Sequence, residues 1–389
     1  MKKFLSLLIF FLSLLVMTGC WDSKELNEQA IALGFSMDVA ENGAYQVSGQ
    51  FIIPSKVATG EKGGGGGGGT FFVETAKGND LFEARQNLQN KLSRTMFKNQ
   101  RQSIYIGERL AKSGIKEIID MITRDPEAGI RTDISVVKGG KGVDVLKTSY
   151  PLELVPSLAS LKIHKQFDTA ANSTFLNLVV TSSNASSSSL PAWTLESSSR
   201  KESHQKNLKF AGSAIFNKNL KLVGYLNKEE ANNQMWITEK LSHQYITLSI
   251  PQENGKISVE VKNLKRNIRT TFQGNKVKVY LTLTGNGEVK QNNTPFDLTQ
   301  SNKVNIVEKE VEEQLEQSIR ELIKKVQKKY KTDIFGFGDT MFRRHPSEWK
   351  KIKDDWKKEF TEADVKVDVN IAIRLIGLTG SSARIEEAR

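Results

Sequence analysis

The residues with the clearest chemical meaning stand at the amino terminus. Lys2 and Lys3 are followed by a run of apolar residues and serine over residues 4–16, and small residues then precede Cys20. A basic start, an apolar stretch and small residues, in this order, are typical of a cleaved export signal. The apolar run is shorter than the roughly 20 residues that a membrane-spanning helix needs. We therefore predict a signal peptide over residues 1–19.

Cys20 is the only cysteine, so it cannot form a disulfide within the chain. Its position directly after Thr18 and Gly19 resembles a bacterial lipobox, in which the cysteine becomes the first residue after cleavage and is acylated on sulfur. Met17 departs from that pattern, which usually has leucine there. We interpret Cys20 as a lipidation site, the alternative being a free thiol. Trp21 would then lie at the lipid headgroups or pack on its own domain.

The chain is basic, with 56 Lys and Arg against 44 Asp and Glu residues and a formal net charge of +12. Loss of Lys2 and Lys3 with the signal leaves +10. Basic chains often bind nucleic acid, but an exported chain rarely meets it. A lipid anchor and a basic surface act on the same bilayer. We therefore predict contact with a membrane surface and no nucleic-acid partner.

Other residue patterns in the sequence indicate no catalytic or metal-binding chemistry. The four histidines lie far apart, without a second ligand at metal-binding spacing; they are His164, His204, His243 and His345. Adjacent carboxylates such as Glu229 and Glu230 are typical of solvated surface. The seven glycines of residues 63–69 lack the lysine and hydroxyl of a phosphate-binding loop and indicate a flexible loop. We predict no enzyme activity, no cofactor and no metal.

The first half of the mature chain mixes strand and helix patterns. Alternating apolar residues predict strands over residues 31–39, 45–53, 70–73, 102–107 and 131–138. Helical spacing predicts helices over residues 80–97, 108–124 and 143–147. These elements predict an N-terminal α+β domain over residues 20–181, with helices on one face of its sheet.

A serine-rich stretch follows over residues 182–207, and its composition indicates a linker. Beyond it, residues 210–216 and 221–226 predict a hairpin, and residues 228–235 predict a short helix. We group these last elements as a small middle region over residues 208–242.

A long amphipathic helix is the main feature of the predicted C-terminal α+β domain, residues 243–389. Apolar residues recur at helical spacing from Val304 to Tyr330. Four strand patterns predict an antiparallel meander beneath this helix, at residues 245–250, 256–261, 268–272 and 276–284. Residues 365–373 predict a last strand in the same sheet. Acidic residues crowd the first half of the helix, where they complement the helix dipole or lie on a solvated face.

The predicted fold class is therefore α+β, in several domains. We expect mixed or antiparallel sheets, each covered by helices, and a long C-terminal helix packed on an antiparallel sheet.

Aromatic residues and glycines alternate just after the long helix, at residues 335–338. The stretch is too short for a dinucleotide-binding fingerprint. It is either an interaction site, or a turn whose phenylalanines pack beneath the helix. The candidate interaction residues of the whole chain are Trp21, Asp22, Phe335, Gly336, Phe337 and Gly338.

Four blocks of sequence resemble, in the same order, those of a known family. They lie at residues 19–27, 104–127, 212–224 and 333–338. The last block is followed by Trp349 and Trp356. Together they resemble the C-subunit lipoproteins of bacterial spore germinant receptors, the GerAC-like or Ger(x)C family. The glycine tract departs from the family pattern.

The resemblance implies a non-enzymatic subunit, anchored by lipid on the outer face of the spore inner membrane. It also implies assembly with two integral membrane partners, an A-type and a B-type receptor subunit. One competing hypothesis is a solute-binding lipoprotein of a transporter, which usually has two α/β lobes with crossovers; the predicted meander argues against it. Another is an exported lipoprotein enzyme, against which the lack of a catalytic pattern argues.

Overall fold

The computed structural model contains two β-sheets and their covering helices. It describes residues 3–4, 25–58, 69–125, 127, 129–148, 150, 152–166, 173–183, 186–197, 206–250, 253–273 and 276–377. Cys20, Trp21, Asp22 and most of the glycine tract lie outside these residues. Within the described residues, no helix combines the length and apolar character needed to cross a membrane.

The first sheet has nine strands. Their bounds are β1 Gln29–Val39, β2 Tyr45–Ile52, β3 Phe71–Gly78, β4 Thr95–Phe97, β5 Ser103–Gly107, β6 Asp133–Val137, β7 Ser189–Ser197, β8 Lys206–Phe216 and β9 Leu222–Leu226. The order across the sheet is β3-β2-β1-β5-β6-β7-β8-β9, and β4 pairs with β1. Strands β1, β5, β6 and β7 run parallel, and antiparallel strands flank them on both sides.

In the described part of the chain, seven helices accompany the first sheet. They are α1 Pro54–Ala58, α2 Leu81–Gln89, α3 Glu108–Ser113, α4 Lys116–Thr123, α5 Gly142–Lys147, α6 Ser157–Gln166 and α7 Phe175–Ser183. Ile104 and Ile106 of β5 pack in the cluster that includes α2 and α4, whereas Tyr105 packs with α5 on the opposite face. Both faces are therefore covered, and the prediction of helices on one face was wrong, because all residues of β5 and β6 are buried.

Several helix bounds in this region differ from the prediction. The segment predicted as one helix over residues 108–124 is two helices, because the chain turns at Gly114 with a φ of +127°, which favours glycine. The helix predicted over residues 80–97 ends at Gln89, and β4 begins at Thr95. Helices α6 and α7 were not predicted.

Part of the serine-rich segment predicted as a linker, residues 182–207, is a strand. Strand β7 pairs with both β6 and β8, and Ala192 and Trp193 are fully buried. These apolar side chains secure the strand, although serines surround it in the sequence. Because β8 and β9 extend the same sheet, the predicted hairpin of the middle region also belongs to the first sheet.

The second sheet has four strands in the order β10-β11-β12-β13. They are β10 His243–Ser249, β11 Lys256–Gln273, β12 Lys276–Asn292 and β13 Asp364–Leu375. Strands β10 to β12 are antiparallel as predicted, and β13 returns to the sheet parallel to β12. Two strands predicted over residues 256–261 and 268–272 are one strand, β11, whose register shifts between Lys262 and Lys265.

The remaining helices surround the second sheet. They are α8 Lys228–Ile237, α9 Ser301–Lys325, α10 Phe337–Arg344, α11 Pro346–Ile352 and α12 Trp356–Glu362, with a π-helical turn Val326–Tyr330 after α9. The buried residues of α9 lie on one stripe and are all apolar: Val307, Val311, Leu315, Ile319, Leu322 and Ile323. This stripe packs in the cluster that contains the strands of the second sheet, which confirms the predicted fold class.

Three glutamates of α9 bind the backbone of β13. Glu308, Glu312 and Glu316 accept hydrogen bonds from the backbone N–H groups of residues 373, 371 and 369, at 2.7, 2.8 and 3.1 Å. Four helical residues rise about 6.0 Å and two strand residues about 6.6 Å, so the two spacings match. These acidic side chains therefore attach the helix to the strand, a role that the sequence analysis missed.

Candidate functional site

The candidate site lies where the chain after α9 contacts the segment before β7. At its centre, the buried carboxylate of Asp333 faces a tight turn. Its Oδ1 accepts hydrogen bonds from the backbone N–H groups of Phe335 and Phe337, at 2.9 and 3.4 Å, and its Oδ2 accepts one from Gly338 at 2.7 Å. Gly336 has a φ of +83°, a backbone conformation that glycine adopts at little cost.

Two further donors reach the same carboxylate from distant parts of the chain. The Oγ of Ser186 and the Nε1 of Trp356 each lie 3.2 Å from Oδ2 of Asp333. The backbone N–H of Ser187 also donates to the carbonyl of Asp333 at 2.6 Å. We call residues 186–187, residues 333–338 and Trp356 the junction, because they join the first sheet to the helices around the second sheet.

The electrostatics of the junction favour a structural role for Asp333. Burial raises the pKa of Asp333, and the N–H groups of the turn partly offset this effect. Nearby, Lys218 donates to the carbonyl of Ser186 at 2.8 Å, and burial lowers the pKa of this lysine. Because both carboxylate oxygens are occupied by donors within the protein, Asp333 holds the turn and is poorly placed to exchange protons with a substrate.

The aromatic residues of the motif lie in the core. The rings of Phe335 and Phe337 are fully buried, with centroids 5.4 Å apart, and both lie near the ring of Phe360. Trp349 and Trp356 extend the cluster with an edge contact at 5.2 Å. The geometry therefore agrees with the interpretation that these rings pack beneath the helix.

The predicted interaction residues are thus only partly brought together. Phe335, Gly336, Phe337 and Gly338 form one turn, of which Gly336 alone is more than slightly exposed. As contacts for a partner, these residues stay a prediction. Asp333 and Ser186 were not among the predicted site residues. For Asp333, the available signal was an aspartate just before a glycine-containing turn, since its side chain can accept from the following N–H groups.

Metal-ligating residues are scattered in the described part of the chain. Among these residues, no three His, Cys, Asp or Glu side chains come together as a possible metal site. His164 instead lies beside Asp133, with Nδ1 and Oδ1 3.3 Å apart, and packs against the ring of Trp193.

Comparisons with known proteins match two consecutive family models to this chain. Residues 22–194 match a family described as "Spore germination protein N-terminal domain". Residues 211–377 match one described as "Spore germination B3/ GerAC like, C-terminal". Most of strand β7 thus lies in the first match, and the second half of β8 lies in the second.

Relatives from Bacillus subtilis (strain 168) match over nearly their whole length. "Spore germination protein KC" is 27% identical and covers 97% of both chains. "Spore germination protein B3" is 22% identical over 96% of this chain and 98% of the relative. The crystal structure of the GerBC protein matches with a TM-score of 0.59 and 20% identity, covering 91% of this chain and all of the other, which shows the same fold.

Proposed function

Since the chain belongs to the GerAC-like family of spore germination proteins, the germinant receptor C-subunits, we propose that it is a lipid-anchored, non-enzymatic subunit of a germinant receptor. In this role it would sit on the outer face of the spore inner membrane. There it would assemble with an A-type and a B-type integral membrane subunit and support nutrient sensing.

The observation that carries the proposal is the order and extent of the two family matches. Together they cover residues 22–194 and 211–377, and the first begins two residues after Cys20. The segment before this match contains the export signal and the lipobox-like residues of the sequence. A lipid-anchored subunit needs this arrangement of an anchor followed directly by a folded body.

The start of β1 limits how far the body would extend from the anchor. Gln29 lies nine residues after Cys20, and nine residues span at most about 30 Å when fully extended. An acylated Cys20 would therefore hold the first sheet close to the bilayer. The net positive charge of the chain would add attraction to an anionic lipid surface.

Lipidation is tested by the substitution Cys20→Ala. We expect the wild-type chain to incorporate a clickable fatty acid in growing cells and the variant to remain unlabelled, because sulfur is the acyl acceptor at this site. The variant should be uncleaved or unlipidated, and it then lacks the about 0.8 kcal/mol that each buried CH₂ of an acyl chain contributes to membrane binding. Ser23→Ala is the matched control, and equal labelling of all three chains would contradict the assignment.

Assembly is tested by affinity isolation of the tagged full chain from spore membranes. We expect two integral membrane proteins to copurify in comparable amounts. Recovery of the lipoprotein alone would argue against a stable receptor complex. Copurification of a transporter permease would instead support the solute-binding alternative.

A further inference from the structure

A cavity of about 140 Å³ lies against the junction. It is lined by the segment before β7, by the end of α8 and by the turn at Gly336. Three elements distant in sequence therefore meet around it. A second cavity of about 30 Å³, with room for an ordered water, shares Ser189, Gln234 and Lys240 with the first.

The charges that line the larger cavity are mainly positive. Lys240, Arg266 and Arg343 line it, against the single carboxylate of Asp339. Arg266 pairs with Glu239 at 3.1 Å, and the Nε of Arg343 donates to the carbonyl of Asp339 at 3.2 Å.

Lys240 differs from these two arginines. Within the described residues its ammonium makes no ion pair, although the residue is partly buried and burial lowers its pKa. A positive charge removed from water without a compensating anion costs free energy, so proteins usually pair it. An anionic ligand would remove this cost.

Hydroxyl groups also line this cavity. Thr181, Ser186, Ser187, Ser189 and Thr238 line the same cavity. Three of these hydroxyls donate within the protein: that of Thr181 to the carbonyl of Asn177, that of Ser186 to Asp333 and that of Thr238 to the carbonyl of Gln234. Ser189 and Lys240 line both cavities. Ammonium, guanidinium and hydroxyl donors are the groups that bind oxyanions in proteins.

We propose that this cavity binds a small oxyanion, of the size of phosphate or of a short carboxylate, with Lys240 as its principal partner. The volume is close to that of a cavity of about 150 Å³ that accommodates benzene, so a ligand of about six non-hydrogen atoms fits. The bound anion would contact the segment before β7, the end of α8 and the turn at Gly336 together. Anion binding would therefore stiffen the contact between the two sheets.

The test is thermal unfolding of the full chain in detergent, at constant chloride, with increasing inorganic phosphate or acetate. We expect one of these anions to raise the melting temperature saturably, because a ligand that binds the folded state stabilises it. Stabilisation by phosphate alone would identify a phosphate-like ligand, and stabilisation by acetate alone would identify a carboxylate.

Lys240→Met removes the charge while keeping the length of the side chain, so it should weaken binding at least tenfold. Lys309→Met is the matched control, because Lys309 is a well-exposed lysine of α9. Arg343→Gln, at an exposed position, should weaken binding to a smaller extent and keeps the test decisive if Lys240→Met does not fold.

Two outcomes would overturn the proposal. One is the absence of stabilisation of the wild-type chain by either anion. The other is an equal shift in wild type, Lys240→Met and Arg343→Gln, which would indicate the general stabilisation that excluded salts produce. Neither result depends on the receptor complex, so the anion site and the proposed function can fail independently.

Discussion

The first sheet contains many buried hydrogen-bonding side chains, whereas the buried stripe of α9 on the second sheet is apolar, and the glutamates of α9 that bind β13 are only partly buried. In the first sheet, the amide of Gln50 donates to the carbonyl of Leu146 at 2.6 Å and accepts from the N–H of Ser157 at 3.2 Å. The carboxylate of Asp38 likewise accepts from the N–H groups of Gly142 and Val143. Helices α5 and α6 are thus positioned by polar contacts that span about 100 residues of sequence.

This difference shows two ways of fixing a helix on a sheet. An apolar stripe stabilises the packing of a helix in proportion to the apolar area that it buries, and it tolerates small shifts of the helix. A buried polar side chain fixes one position, because leaving its partner unpaired is costly. We expect substitutions in the two regions to differ accordingly.

The largest effect should come from Ile319→Ala in α9. This side chain is fully buried beneath the helix, so its truncation should cost about 2–5 kcal/mol of the free energy of unfolding. Urea unfolding followed by tryptophan fluorescence measures this loss, and three of the five tryptophans, Trp236, Trp349 and Trp356, pack in the core of this region. The control Lys309→Ala, at an exposed position of the same helix, should change stability by less than about 0.5 kcal/mol. Similar losses of unfolding free energy in Ile319→Ala and Lys309→Ala would mean that the apolar stripe does not dominate the stability of this region.

Gln50→Leu tests the polar attachment of the first sheet and should have a smaller effect. Leucine leaves the carbonyl of Leu146 and the N–H of Ser157 without their partner, while its own burial offsets part of the penalty. We expect a net loss of about 1–3 kcal/mol. Hydrogen exchange of the Ser157 amide should accelerate more than that of α9, and uniform acceleration across both sheets would contradict the distinction.

The smallest effect concerns the glutamates of α9 and depends on pH. Burial raises the pKa of Glu312, and the charges of Glu308 and Glu316 raise it further, while the N–H of Ile371 lowers it. For an acid whose pKa is higher in the folded state, the folded state binds more protons, so stability falls as pH rises through the folded pKa. Glu312→Gln keeps an acceptor for Ile371 and removes the charge. The variant should therefore be more stable than wild type at neutral pH.

The measurement is the midpoint of urea unfolding at pH 7 and at about pH 4, where wild-type Glu312 is largely protonated. The advantage of Glu312→Gln should shrink at the lower pH. Glu313→Gln, at an exposed position of the same helix, is the matched control for the loss of one negative charge. If the urea midpoints of Glu312→Gln and wild type differ by the same amount at both pH values, the charge of Glu312 is not the cause of the difference.

The parts of the fold that local sequence patterns determine could be predicted. The helix from Val304 to Tyr330 and the alternating strand at residues 365–373 are such parts, because each buries a regular set of its own residues. Strand β7 and helices α6 and α7 depend on partners far away in sequence. The segment of β7 was predicted as a linker because it is rich in serine, although its residues Ala192 and Trp193 are buried in the structure.

The candidate site was predictable to a smaller extent. The turn at residues 335–338 stood out because glycines and aromatic residues alternate there. Its central residue, Asp333, is defined by donors from Ser186 and Trp356, which lie 147 and 23 residues away. No local spacing indicates such a convergence. The same holds for Lys240, since only the fold shows which charged groups surround it.

The glutamates that bind β13 also affect how this protein can associate with itself. An outer strand with free N–H groups is a template on which a strand of another chain can pair, and repeated pairing of this kind builds amyloid fibrils. At β13 the N–H groups of residues 369, 371 and 373 are already occupied by side chains of α9. A strand from a second molecule would first have to displace these glutamate side chains. Three carboxylates, spaced one helical turn apart, therefore hinder the addition of further strands at this edge of the sheet.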